Sequence, residues 1–265
     1  MTQASSSYSD NDIAVKVRGL EKGFGQFKIH HGLNLDIPRG KVTYIMGGSG
    51  CGKSLLLKQI MGFIEPDKGT IFINGEQMIA SDHRQLKQVR KHMGILFQNS
   101  ALFDSLSVYN NVAFSLKEQL NLSKSETDKR VEELLLSVGL TFEHSKKMPG
   151  ELSGGQRKRV ALARAIALKP SIMMYDEPTT GLDPITTMMV TNLIKNVSTQ
   201  HDLTSIVISH DTHVVFTVAE HIAFMKDGEF KYVGAPWDVF KSKDPDVQEF
   251  FALEANRKRE SQENA

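Results

Sequence analysis

Short, uninterrupted apolar runs alternate along this chain with stretches of helical spacing. Residues 41–46, 69–74, 94–98, 171–175 and 204–209 predict strands, with 41–46, 171–175 and 204–209 buried. Residues 53–64 and 185–198 carry a helical pattern. Ser123-Lys124-Ser125-Glu126 is a capping-box sequence, and the helix it opens runs through Leu136, with Val131, Leu134, Leu135 and Val138 on one face. Before that first apolar run, from Ile13 onward, the pattern is β-rich, with turn signals at Gly23, Gly25 and Pro38-Arg39-Gly40. Residues 223–233 predict a hairpin turning at Asp227-Gly228, followed by short helices around 237–241 and 245–253. Strands alternating with helices predict an α/β fold: a mainly parallel sheet covered on both faces. From about 99 to 168 the pattern turns helical and reads as an insertion. Residues 1–12 are polar and read as a frayed tail; 254–265 are a polar tail, either a solvated helix end or disorder. Residues 13–253 are then one domain.

Composition narrows the class. The formal charge is +1, so no global excess of charge argues for nucleic acid or an acidic surface as partner. Cys51 is the single cysteine, which excludes an intrachain disulfide and fits a reducing compartment. The first residues, MTQASSSYSDND, lack the apolar stretch of a secretory signal. No run approaches the roughly 18 to 20 apolar residues that span a bilayer. If the protein works at a membrane, another chain must hold it there.

The strand 41–46 runs into Gly47-Gly48-Ser49-Gly50-Cys51-Gly52-Lys53-Ser54, which fits G-x-x-x-x-G-K-[ST] between a strand and a helix. Glycines let backbone wrap around phosphate where a Cβ would obstruct it. The N–H groups of the loop and the positive end of the helix, about half a charge, face the anion. Lys53 supplies a point charge for the β- and γ-phosphates, and the Ser54 hydroxyl suits Mg²⁺. Leu55 completes the nucleotide-contacting set. Cys51 reads either as filler in the loop or as a redox-sensitive thiol.

The run 171–175 ends in Asp176-Glu177. Carboxylates at the carboxyl end of a parallel strand reach a phosphate site, and alternation sends the two side chains opposite ways. Asp176 suits the Mg²⁺ shell through water; Glu177 suits proton acceptance from an attacking water.

Leu152-Ser153-Gly154-Gly155-Gln156 is a second small-residue turn opening a helix, a second anion site in one chain. It resembles the signature motif of ABC (ATP-binding cassette) ATPases. That resemblance, which covers about residues 13–253, implies a P-loop NTPase with a RecA-like core, an N-terminal antiparallel β subdomain and an inserted helical subdomain. It also implies two copies facing head to tail, each ATP held between the phosphate loop of one and Ser153, Gly154, Gly155 and Gln156 of the other. By the same resemblance Gln98 is the Q-loop glutamine contacting Mg²⁺ and water, and His210 is the switch histidine on the γ-phosphate. Asp183, in Gly181-Leu182-Asp183, is the D-loop aspartate, and Phe24 is the aromatic that stacks on adenine. The implied catalytic set is Glu177, His210 and Lys53, with ATP and Mg²⁺ as cofactors.

Residues 101–114, 157–168, 176–185 and 244–251 resemble, more narrowly, the ATPases of bacterial Mla and other Mce-associated phospholipid-trafficking systems. Some of those relatives carry Met where this chain has Gln156. The resemblance implies a peripheral subunit at the cytoplasmic face of the bacterial inner membrane, energising phospholipid movement between the inner and outer membranes that maintains outer-membrane lipid asymmetry. Implied partners are a second copy, permease subunits, a periplasmic Mce-domain lipid-binding protein and a small STAS-domain protein, without nucleic acid. Leu102, Phe103, Leu106 and Val108 either line a groove for the permease or pack within the helical subdomain. Two alternatives share the ATP chemistry: the cassette of an importer for another substrate, and a soluble ATPase of iron–sulfur cluster assembly.

Overall fold

The structure, a computed structural model, describes residues 8–79, 81–252 and 254. In chain order the strands are β1 (Ile13–Phe24), β2 (Phe27–Pro38), β3 (Val42–Met46), β4 (Lys68–Ile73), β5 (Glu76–Gln77), β6 (Met93–Leu96), β7 (Ile172–Asp176), β8 (Thr204–Ser209), β9 (His221–Lys226) and β10 (Glu229–Gly234). The helices are α1 (Lys53–Ile60), α2 (His83–Lys91), α3 (Val108–Gln119), α4 (Lys124–Ser137), α5 (Gly154–Ile166), α6 (Pro184–Gln200), α7 (Thr212–Val218) and α8 (Pro245–Phe250). These elements fall into two compact units, one holding the described chain up to Val89 and from Ile206 onward, the other Arg90–Ser205.

In the first unit β2, β1, β4 and β5 form an antiparallel sheet. Its apolar positions recur with the strand period: Val15 and Val17 of β1, Leu33, Leu35 and Ile37 of β2, and Ile71 and Ile73 of β4 are all buried. The β1–β2 turn sets Phe24 opposite Phe27 at the hairpin tip. A second sheet region has β3, buried at all five residues, parallel to β9, which pairs antiparallel with β10. The β9–β10 hairpin turns at Asp227-Gly228 as the sequence predicts, and both residues have positive φ, 51° and 72°. Aromatic rings of Phe216, Phe224, Phe250 and Phe251 pack α7 and α8 onto this region, with Phe224 and Phe250 centred 4.6 Å apart.

In the second unit β6 and β7 pair in parallel, and α3, α4 and α5 pack on one another. The capping box of α4 forms as predicted: Glu126 N–H donates to Ser123 Oγ, and Ser123 N–H to Glu126 Oε2. Val131, Leu134, Leu135 and Val138 are buried.

Three local expectations shift. The helix predicted over 53–64 ends at Ile60, because Gly62 takes φ 67° and stops it. The helix expected around 237–241 is a 3-10 turn, Pro236–Lys241. At the chain start, residues 10–12 form a 3-10 turn held by Ser9–Asp12 hydrogen bonds; residues 1–7 and the tail beyond 254 lie outside the described residues. No described helix is long and apolar enough to cross a membrane.

Candidate active site

The phosphate loop leaves the end of β3 and enters α1. Gly47, Gly50 and Gly52 all have positive φ, 151°, 79° and 108°. Two of them are also hemmed in. A Cβ on Gly47 would lie 2.2 Å from Met225 O, and one on Gly52 would lie 2.6 Å from His30 Nε2. Larger residues are therefore excluded by both conformation and space. Gly52 is the N-cap of α1, so the positive helix end opens directly onto the loop. Lys53 is buried, and its ammonium donates to Gly47 O and Gly48 O, each at 2.8 Å. The charge thus sits within the curve of the loop. Ser49 is exposed, Ser54 and Leu55 are half-buried on the first turn of α1, and Cys51 is half-buried in the loop.

A cavity of about 750 Å³ adjoins Gly48, Ser49, Gly50 and Cys51. Its opposite walls include Phe27, His31, Lys226 and Phe250. Phe24 does not line it; that ring is 50 % exposed at the hairpin tip, with the Lys22 ammonium 5.4 Å from its centroid. Phe27, 80 % exposed, does line it, and the sequence reading passed over this residue. The available signal was its place two residues beyond Gly25, which pairs it across the turn with Phe24. His210, in the same unit, directly follows β8 and is exposed.

The second unit gathers the other motifs. Asp176 ends β7, and Glu177 follows with φ 49°, a left-handed conformation that costs a non-glycine residue of order 1 kcal/mol or more. Thr180 Oγ1 donates to Glu177 Oε2 at 3.0 Å and so orients the carboxylate. Gln98 is exposed beyond β6, and its carbonyl accepts from the buried ammonium of Lys158 on α5. Burial pushes the Lys158 ammonium below the ordinary lysine value, while the charges of Asp176 and Glu177 act in the opposite direction. Lys158 is a further residue the motif reading missed; its signal was a lysine among the apolar positions of α5.

Ser153 and Gln156 form a reciprocal cap on α5. Gln156 N–H donates to Ser153 Oγ at 3.2 Å and Ser153 N–H to Gln156 Oε1 at 3.0 Å. The capped turn presents the first N–H groups of the helix, which have no carbonyl partner within it. Gly154 lies next to Leu182, and a Cβ on Gly155 would be 2.8 Å from Thr186 Cγ2. The serine-glycine turn and the segment 181–183 are therefore packed together. Asp183 is the N-cap of α6, accepting from Thr186 N–H at 3.0 Å and Thr186 Oγ1 at 2.5 Å. Its bond to the Thr186 hydroxyl, with the backbone bond behind it, holds this exposed carboxyl below the usual aspartate value.

Each unit by itself offers oxygen donors of the kind a hard divalent cation takes: the Ser54 hydroxyl in the first, the Asp176 carboxylate and the Gln98 amide oxygen in the second.

Comparison with known proteins agrees with this chemistry. Residues 30–180 match the family described as ABC transporter. The intermembrane phospholipid transport system ATP-binding protein MlaF of Haemophilus influenzae is 40% identical over 246 residues, 93% of each chain. A probable ribonucleotide transport ATP-binding protein, mkl, of Mycobacterium leprae is 39% identical over 238 residues, 90% of this chain and 68% of the relative. Among solved structures, CbiO1 of Clostridium perfringens, part of an ABC transporter complex, superposes with a TM-score of 0.81 at 31% identity, covering 95% of this chain and 99% of the other. The ATP-binding cassette MJ0796, in its dimeric post-hydrolysis state with ADP and Pi, superposes with a TM-score of 0.76 at 32% identity, covering 84% and 98%.

Proposed function

This chain belongs to the ABC transporter family, and we propose that it is the ATP-hydrolysing subunit of a phospholipid transporter, working as a head-to-tail pair. The enzyme is an ATPase, and related cassettes form dimers. The loop 47–52 and the helix end behind it grip the β- and γ-phosphates, with Lys53 offsetting their charge. Ser54 and Gln98 would hold Mg²⁺, with Asp176 reaching it through water, and the ion would supply further charge neutralisation on the phosphates when bound. Glu177 accepts the proton of the attacking water, and His210 orients that water and the γ-phosphate. Adenine rests at the aromatic hairpin tip formed by Phe24 and Phe27. Ser153 with the Gly154 and Gly155 amides of a second copy closes over the γ-phosphate, so two complete sites need two chains. Asp183 belongs to the same seam.

The observation that carries this reading is Glu177: a carboxylate at a strand end, in a strained left-handed conformation and oriented by Thr180. Phospholipid as the cargo is supported by the 40% identity to MlaF across most of both chains. The likeness to a phospholipid transport subunit supports a peripheral place on the inner membrane, on permease partners, with an Mce-domain protein and a STAS-domain protein in the same assembly. Tagged protein purified from native membranes tests the cargo and partners. A copurifying permease, Mce-domain protein and phospholipid are expected. A permease for ribonucleotides or amino acids, without phospholipid, would replace this reading with another importer, and the absence of any permease would point to a soluble ATPase.

A further inference from the structure

His30 is fully buried on β2, one position out of phase with Leu33, Leu35 and Ile37, beyond a register shift in the β1–β2 pairing and the left-handed Gly32. A buried imidazole costs free energy unless its nitrogens are paired. Both are. Nε2 lies 3.0 Å from Gly52 O, the last glycine of the phosphate loop, and Nδ1 lies 2.8 Å from Gln59 Oε1 on α1. Burial lowers the imidazole pKa, so the ring is neutral and carries one proton. A carbonyl can only accept, which puts that proton on Nε2. Nδ1 is then an acceptor; Gln59 has Oε1 toward the ring and its buried Nε2 without a partner, and turning that amide end for end lets Nε2 donate to Nδ1.

We propose that His30 is a positioning residue for the nucleotide site, fixing the exit of the phosphate loop through the Gly52 carbonyl. Gly52 O already accepts from Leu56 N–H at 3.0 Å, the first bond of α1. The histidine takes its second lone pair, and the two bonds set the direction of the carbonyl. The peptide unit is planar, so fixing Gly52 C=O also fixes the N–H of Lys53, which points the opposite way. That N–H belongs to the set that meets phosphate. The entry of the loop is braced separately, by Met225 backbone against Gly47. At the exit, the His30 side chain supplies the hydrogen bond from outside α1.

The inference rests on the phosphate-loop reading, and one experiment separates the two. Titration calorimetry with ADP and Mg²⁺ is run on the full chain and on His30→Leu, His30→Gln and His30→Asn, with the Tm of each variant without nucleotide. A glutamine amide nitrogen reaches the place of Nε2; an asparagine reaches only that of Nδ1. His30→Leu and His30→Asn should weaken ADP by about tenfold, the loss of one buried hydrogen bond. His30→Gln should stay within about twofold of the parent, matching loop contact rather than Tm. If His30→Leu does not fold, the contrast between Gln and Asn decides. Equal affinities across the folded variants, or Gln weakened as much as Asn, would overturn the role of His30. Failure of the parent chain to bind ADP would instead overturn the phosphate loop itself.

Discussion

At the scale of single residues, the proposed chemistry rests on motif residues, which are read by order and spacing. The phosphate loop, the acidic pair and the second serine-glycine turn are contiguous, so each could be found without a fold. The residues that support them were not legible in the same way. His30, Lys158 and Thr180 come from distant or unremarkable positions, and only folding brings them to Gly52, Gln98 and Glu177. Phe27 was overlooked because alternation says which face a residue takes, not which cavity it borders. Single residues also carry a pH signature away from the site. His221 is buried, and burial pushes its imidazole from the ordinary 6.5 to about 4, with Lys41 adding to the effect. Between those values the unfolded chain takes up a proton that the folded chain refuses. Stability is therefore intact above pH 6.5 and declines as pH falls toward 4, by up to about 3 kcal/mol from this group. Melting curves at pH 7.5 and pH 5 should show a larger fall in Tm for the parent than for His221→Gln. Equal falls would assign the acid sensitivity to other groups.

At the scale of elements, the strongest expectations came from runs whose local and tertiary demands agree. β3, β7 and β8 are buried apolar strands, and the Asp227-Gly228 hairpin has the backbone its residues favour. α2 was not anticipated, since only Leu86 and Val89 of that helix are buried and the remainder is polar. Its apolar stripe is too sparse for periodicity to register. The signature turn shows one element serving two ends. Ser153 caps α5 and, in the proposed dimer, meets the γ-phosphate of the second copy. Substitution can divide these duties. Ser153→Ala removes the cap and should cost about 1 kcal/mol of stability together with most of the ATPase activity. Ser153→Asn keeps a competent cap, so its Tm should stay near that of the parent while ATP turnover still falls. Parental turnover in Ser153→Asn would show that the serine serves the helix alone.

At the scale of the whole molecule, each unit carries an incomplete set of parts. One holds the phosphate loop, the aromatic hairpin tip and His210; the other holds Gln98, the acidic pair and the signature turn. The α/β class and the helical insertion were legible from alternating patterns, because layering follows from where apolar faces must be buried. A partner chain was not legible from residues alone. A second anion-binding turn in one sequence raised the question, and only resemblance to paired cassettes answered it. The most direct test is a structure of the full-length Glu177→Gln protein loaded with ATP and Mg²⁺, in which proton acceptance by Glu177 is blocked and ATP stays bound. The account predicts a dimer in which the γ-phosphate held at Lys53 of one copy lies about 3 Å from Ser153 Oγ of the other. ATP bound at Lys53 with Ser153 of both copies far from every γ-phosphate would contradict it.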